Sequence, residues 1–134
     1  MSSTAIELIT QLDFVSRIEI GFKVNVKSNS IIEAASSYGS VSRYIFGESR
    51  QETINFINHV ITRVIEITPK EDPNTQLCLV DSLRKSIEGI NNLKITYEKD
   101  IFYVAKLSSE IIRIEHFIKW ISEHSQIDND SRHK

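Results

Sequence analysis

The residues that most often do chemistry in proteins, histidine and cysteine, are few in this sequence and poorly spaced. His116 and His124 are eight residues apart, which places them roughly 80° away from a common helical face, so together they would chelate a metal ion poorly. Cys78 is the only cysteine and stands within an aliphatic run. We expect it to be a small buried side chain rather than a nucleophile. His59 falls on a polar helical strip, which is typical of a solvated residue rather than a general base.

Sequence motifs for the common catalytic and cofactor sites are absent. The chain contains no G-x-x-x-x-G-K-[ST] or G-x-G-x-x-G for phosphates, no H-E-x-x-H for zinc and no G-x-S-x-G for acyl transfer. A di-iron site in a helical bundle needs Glu-x-x-His, and no Glu here is followed by His at that spacing. We therefore predict no enzymatic activity, no cofactor and no metal site.

Segment 23–50 is the one stretch whose residue types suit an anion. It carries four basic and two acidic residues, with three aromatic residues interleaved. Basic groups can hold phosphate while aromatic rings stack on bases, so the segment could contact a small anion or a single nucleic-acid strand. The simpler interpretation, which we favour, is a solvated loop anchored by its aromatic rings, since the whole chain has a net charge of -2. The candidate anion contacts are Lys23, Lys27, Arg43 and Arg50.

Surplus apolar residues are the most informative feature. The second long helix is apolar on about two-thirds of its circumference, and the last helix carries large residues well away from its main apolar stripe. Such faces are either buried inside the fold or form an interface, and Trp and Phe are enriched at interfaces. We favour an interface, to which segment 38–47 could add. The candidate interface residues are Phe102, Ile112, Phe117 and Trp120.

Hydrophobic periodicity predicts the helices that would position these residues. A first helix over about 4–22 starts at the capping box formed by Thr4 and Glu7, and a second over about 50–68 starts at a cap on Ser49. The third begins at Pro73, capped by Asp72. The main apolar positions of the first helix are Ala5, Leu8, Leu12, Val15 and Phe22. Those of the third helix are Leu79, Leu83, Ile87, Ile90, Leu93 and Tyr97. Those of the last helix are Ile101, Val104, Leu107, Ile111, Ile114, Ile118 and Ile121.

A turn is expected near residues 97–100, although the periodicity there continues without a break. One uninterrupted helix from 73 to 125 would be ~80 Å long at 1.5 Å per residue, which is too long for a domain of this size to cover. Charged residues cluster at 98–100, so we place a hairpin there and expect two antiparallel helices.

Composition fits one small domain. The chain has 134 residues, of which 40% are hydrophobic and 25% charged, so we expect a helical domain over 1–126 and a polar, frayed tail over 127–134. Segment 23–49 is rich in Ser and irregular, with a short helix predicted from the capping box of Ser30 and Glu33. No apolar run approaches the ~20 residues that a membrane span requires. The N-terminus does not resemble a signal peptide, which favours an intracellular location, cytoplasmic or nuclear.

The sequence therefore predicts an all-α, four-helix-bundle-like single domain that acts by protein contact. We expect a non-enzymatic interaction or structural assembly protein that binds itself as a homo-oligomer or docks on a protein partner, without a membrane. The alternative is a nucleic-acid or anion-binding protein that uses segment 23–50. An enzyme, with a site assembled from scattered residues, comes third. The 22 Ile residues are part of a bias toward AT-rich codons, which many viruses share, so a virion component is one setting that the composition suits.

Overall fold

The computed structural model describes residues 1–17 and 50–124. In these parts of the chain, four α-helices pack together, as predicted, and the all-α fold class is confirmed. Segment 18–49, with its Ser-rich stretch and predicted short helix, lies outside the described residues, and so does the predicted tail. The helices are α1 (Ser3–Ser16), α2 (Arg50–Ile67), α3 (Pro73–Thr96) and α4 (Ile101–His124), and a 3-10 helix (Thr68–Lys70) joins α2 to α3.

The first helix begins two residues earlier than the predicted capping box. Ser2, rather than Thr4, is the N-cap, because its hydroxyl oxygen accepts a hydrogen bond from the Ala5 N–H at 3.1 Å. The same hydroxyl donates to a carboxylate oxygen of Glu71 at 2.9 Å. One serine thus caps the start of α1 and joins it by a hydrogen bond to the segment that precedes α3. The predicted C-terminal part of this helix, beyond residue 17, is not among the described residues.

The cap of α3 is the one predicted from the sequence, and α4 has a cap that was not predicted. The carboxylate of Asp72 accepts hydrogen bonds from the Thr75 N–H at 3.3 Å and the Thr75 hydroxyl at 2.6 Å, and Pro73 occupies the first helical position. Asp100 likewise accepts from the Tyr103 N–H at 3.0 Å at the start of α4. The chain reverses at residues 97–100, so the predicted hairpin is confirmed.

The four helices form a ring in the order α1, α3, α4, α2. Ser2 of α1 meets Glu71 near the start of α3, and Val15 lies against Gly89 further along, so α1 and α3 are parallel. Helices α2 and α4 are also parallel, because polar contacts pair the start of one with the start of the other and continue in register. The 3-10 helix carries the chain from α2 across the ring to α3.

The core is formed by one face of α1, α3 and α4 and by most of α2. On α2 the predicted polar strip is exposed at Asn55, His59 and Glu66 and half-buried at Thr62, whereas the other faces pack inward. This helix contacts both α1 and α4, which accounts for its wide apolar face. The largest fully buried side chains are Leu12, Val15, Ile57, Ile61, Leu79, Leu83, Ile90, Leu107 and Ile114.

Two burial predictions were wrong. Ile101 was assigned to the core stripe of α4, yet it is 76% exposed, because it is the first residue of the helix and projects at the end of the bundle. Cys78 was expected to be buried, yet it is exposed. Its neighbours Leu79 and Val80 face the core, which leaves Leu77 and Cys78 on the solvent side of α3.

Candidate functional site

The four predicted interface residues on α4 do not share one environment. Phe102 is 82% exposed, Ile112 is 50% exposed and Trp120 is 45% exposed. Phe117, in contrast, is only 7% exposed and belongs to the core. Its ring stacks on Trp120 with 6.2 Å between the ring centroids. Phe117 therefore supports Trp120 from inside, and only the other three residues are available to another molecule.

The exposed residues of α4 lie on one side of the helix but far apart along it. Phe102 and Trp120 are 18 residues apart, about five turns, so they point in nearly the same direction with ~27 Å of axis between them. Ile112 lies between them and about 80° around the axis. The residues that separate them on this side, Ala105 and Ser109, are small and exposed. The geometry is a long stripe, rather than the compact apolar patch typical of a pocket for a small ligand.

At the α3–α4 turn, side chains from three helices meet. The Arg50 guanidinium of α2 donates to an Asp100 carboxylate oxygen at 3.0 Å and lies 4.6 Å from the centroid of the Tyr97 ring. These residues line an open cavity of about 810 Å³ together with Ile101 and Phe102. Burial raises the pKa of the Tyr97 hydroxyl, and the nearby Arg50 opposes that shift. The cluster fixes the start of α2 against the turn and leaves Ile101 and Phe102 projecting beside it.

The other end of α4 carries an aromatic stack. The Trp120 ring lies between Phe117 and His124, and the centroids of Trp120 and His124 are 4.7 Å apart. The His124 ring also contacts the Trp120 carbonyl oxygen at 2.8 Å through Nδ1. Because Phe117 is buried, this stack anchors Trp120 in one orientation although almost half of its surface is exposed. A fixed, partly exposed Trp is typical of protein interfaces.

The most buried carboxylate belongs to a structural network. Glu110 accepts hydrogen bonds from Arg113 at 2.8 Å and from the Asn58 amide at 2.8 Å, and Arg113 also donates to the Thr62 hydroxyl at 2.8 Å. These contacts join α4 to α2 in a fixed register. Both donors to the Glu110 carboxylate are thereby tied into the contact between the two helices.

Of the four predicted anion contacts, the structure describes one, Arg50. Lys23, Lys27 and Arg43 lie outside the described residues. Arg50 is described, and its charge is engaged by Asp100 and by the Tyr97 ring. Within residues 1–17 and 50–124, no group of three or more His, Cys, Asp or Glu side chains could hold a metal ion.

Two exposed residues at the turn were not predicted from the sequence. Ile95 and Ile101 are 70% and 76% exposed and flank the turn on α3 and α4. Periodicity could not have found the exposure of Ile101, because this residue fits the apolar period of α4 and is exposed only because the helix begins there. Comparison of the chain with protein-family models, with curated proteins and with solved structures finds no match. No helix in the described parts is long and apolar enough to span a membrane.

Proposed function

We propose that this chain is a non-enzymatic, helical protein-interaction or structural assembly module that contacts a second copy of itself or a protein partner. The observation that carries the proposal is the exposure of large apolar side chains along α4, with Phe102 at 82% and Trp120 at 45%. Single exposed aliphatic residues are common on any protein surface, whereas aromatic residues such as Phe and Trp are the types that protein interfaces enrich.

The chemistry of the described residues also supports binding over catalysis. Among the described residues, the buried Glu110 carboxylate accepts hydrogen bonds from Asn58 and Arg113, and the exposed Cys78 thiol forms no hydrogen bond with a base. Aromatic side chains such as Trp120 contribute most of the binding energy at protein interfaces. A contact made by apolar surface depends little on salt, whereas binding through Lys and Arg to phosphate weakens steeply as salt is added.

The test is the solution mass of the full chain by light scattering, over a concentration series at low and high salt. Self-association that persists at high salt supports the proposal. If the chain is a monomer, tagged wild-type and Trp120→Asp chains are compared for the proteins that they retain from a cell extract, and circular dichroism checks that the variant keeps its helices.

Two results would overturn the proposal. In the first, the chain is a monomer at every concentration, and wild type retains no protein from the extract that the folded Trp120→Asp variant fails to retain. The other is salt-sensitive binding of a single-stranded oligonucleotide that accounts for all interactions of the chain. Loss of helical dichroism in Trp120→Asp would mean that this residue is needed for folding, and Phe102→Ser then replaces it in the comparison.

A further inference from the structure

The outward side of α4 carries a continuous exposed stripe. We call it the α4 stripe and define it by six residues that are all exposed and lie within about 80° of one another around the helix axis, given 3.6 residues per turn. Lys106 and Arg113 border the stripe, but both are turned toward α2, where Lys106 donates to Gln51 and Arg113 donates to Thr62. Arg113 also donates to Glu110 of α4 itself. The stripe consists of Phe102, Ala105, Ser109, Ile112, His116 and Trp120.

The α4 stripe is complementary to itself when it is reversed. Phe102 and Trp120 have their midpoint at residue 111. Lys99, in the turn just before α4, and Glu123, in the last turn of α4, are equally far from residue 111 in sequence, exposed and of opposite charge. Ile112 lies beside this midpoint. A two-fold axis at residue 111 would therefore bring each aromatic residue against the other aromatic residue of a second copy, and each charge against the opposite charge.

We propose that α4 pairs antiparallel with α4 of a second copy of this chain, about a two-fold axis near Ile112, to form a closed dimer. This inference rests on the proposed function and specifies its partner and its surface. Phe102 packs on the partner's Trp120, Lys99 pairs with the partner's Glu123, and both contacts occur twice. Two-fold dimers are the most common oligomers, and each of their interfaces uses the same surface on both subunits.

The local chemistry of the α4 stripe suits this pairing. The small residues Ala105 and Ser109 allow two helix axes to approach to the 8–10 Å that is typical of packed helices. Neither Lys99 nor Glu123 forms an ion pair within the described parts of the chain. The 24 residues of α4 give a contact only ~36 Å long. This is at the small end of specific interfaces, so the dimer should dissociate on dilution.

The first experiment measures the dimer dissociation constant of the full chain by sedimentation equilibrium. Ile112→Asp places two like charges beside the two-fold axis and should raise the dissociation constant by roughly tenfold or more. Leu77→Asp is the matched control, because Leu77 is 51% exposed on α3 and Ile112 is 50% exposed on α4. The control variant should dimerise like wild type, and both should keep wild-type circular dichroism.

A charge exchange tests the antiparallel orientation. Lys99→Glu alone should weaken the dimer, because two carboxylates then face each other at both ends of the contact, and Glu123→Lys alone should weaken it by facing two ammonium groups. The double variant with both changes restores opposite charges only if residue 99 meets residue 123 of the partner. We expect it to regain the wild-type dissociation constant, at low salt where ion pairs are least screened.

Each outcome separates this inference from the proposed function. Suppose that wild type dimerises, but Ile112→Asp and Leu77→Asp raise its dissociation constant equally, or that the double charge variant dimerises more weakly than either single variant. Either result overturns the α4 pairing and leaves a protein-interaction function in place. A wild-type chain that stays monomeric also overturns the pairing, and the function then depends on the extract comparison alone. If Ile112→Asp does not fold, the charge-exchange series decides the question by itself.

Discussion

Gly89 is where the fold should tolerate a side chain least. It lies in the middle of α3, where a glycine normally weakens a helix, and it packs against the last turn of α1. A Cβ at this position would overlap the carbonyl oxygen of Val15 and lie 2.8 Å from the Val15 carbonyl carbon and 2.9 Å from the Ser16 Cα. These are backbone atoms, so no side-chain rotation relieves the overlap. Gly89→Ala should therefore force α1 away from α3.

The size of the effect follows from two opposing contributions. Moving the Val15 carbon from 2.8 Å to ordinary contact at 3.4 Å requires α1 to shift by at least 0.6 Å. Overpacking typically costs about 1–3 kcal/mol, and because the overlap here is with backbone atoms we take the upper part of that range, about 2–3 kcal/mol. The gain in helix propensity from Gly to Ala offsets about 1 kcal/mol. We expect a net loss of about 1–2 kcal/mol in the free energy of unfolding, and a melting temperature lower by roughly 3–10 °C.

The assay is urea unfolding followed by circular dichroism, with Asn91→Ala as the control. Asn91 is exposed on the same helix, so its replacement by Ala should stabilise the protein slightly through propensity alone. A Gly89→Ala chain as stable as wild type, or more stable, would refute the close approach of α1 and α3 and the parallel arrangement that depends on it.

Three further predictions concern ionisable groups. Hydrogen bonds from the Thr75 hydroxyl and N–H lower the pKa of Asp72 below 3.8, so the stability that this carboxylate contributes is present above pH 3.8 and is lost as the pH falls through its lowered value. In Asp72→Asn, which keeps a capping oxygen, the melting temperature should change less between pH 5 and pH 2, and an unchanged acid profile would contradict this account. Arg113→Leu leaves the buried Glu110 carboxylate with one fewer donor and should cost about 1–3 kcal/mol. Adding Glu110→Gln should recover part of that loss in urea titrations, whereas simple additivity would show that the two side chains are not coupled. Burial, and to a lesser degree Tyr97, raises the pKa of Tyr103 above 10, so its contribution is complete below pH 10 and declines above it. Tyr103→Phe should unfold with a shallower dependence on alkaline pH, and identical alkaline profiles would count against burial as the cause.

Much of the fold could be predicted from the sequence because its helix signals are local. The start of α3 was predicted from the cap on Asp72 and the proline that follows it. The turn at 97–100 was predicted from the limit that domain size sets on helix length. Both predictions are confirmed. The cap of α1 is Ser2 rather than Thr4, and the Ser2 hydroxyl also donates to Glu71, 69 residues away in sequence. A capping motif cannot indicate such a contact, which exists only once α1 and α3 have packed.

The exposure of residues was harder to predict than the helices themselves. A helical period shows which residues share one side of a helix, but not which sides another helix covers. Ile101 has the period of the core and is exposed, since it is the first residue of α4 and projects at the end of the bundle. Phe117 was grouped with Phe102 and Trp120 because of its aromatic type, yet it is buried, since it lies three residues after Ile114 and four before Ile121 on the core side of α4. Cys78 was judged by its aliphatic neighbours, although adjacent residues on a helix face different sides.

The two sets of surplus apolar residues therefore have different explanations, and that difference directs the functional argument. The wide apolar face of α2 is used within the chain, because α2 contacts both α1 and α4 and closes the ring. The described helices do not cover the extra residues on α4 in this way: Phe102, Ile112 and Trp120 point away from α2 and α3, while Lys106 and Arg113 beside them are held against α2. Trp120 rests on the buried Phe117 ring but keeps 45% of its surface exposed, and Phe102 keeps 82%. Packing among the described residues therefore explains the apolar face of α2 but not Phe102 and Ile112, and this is why the proposed α4 pairing is tested first at Ile112.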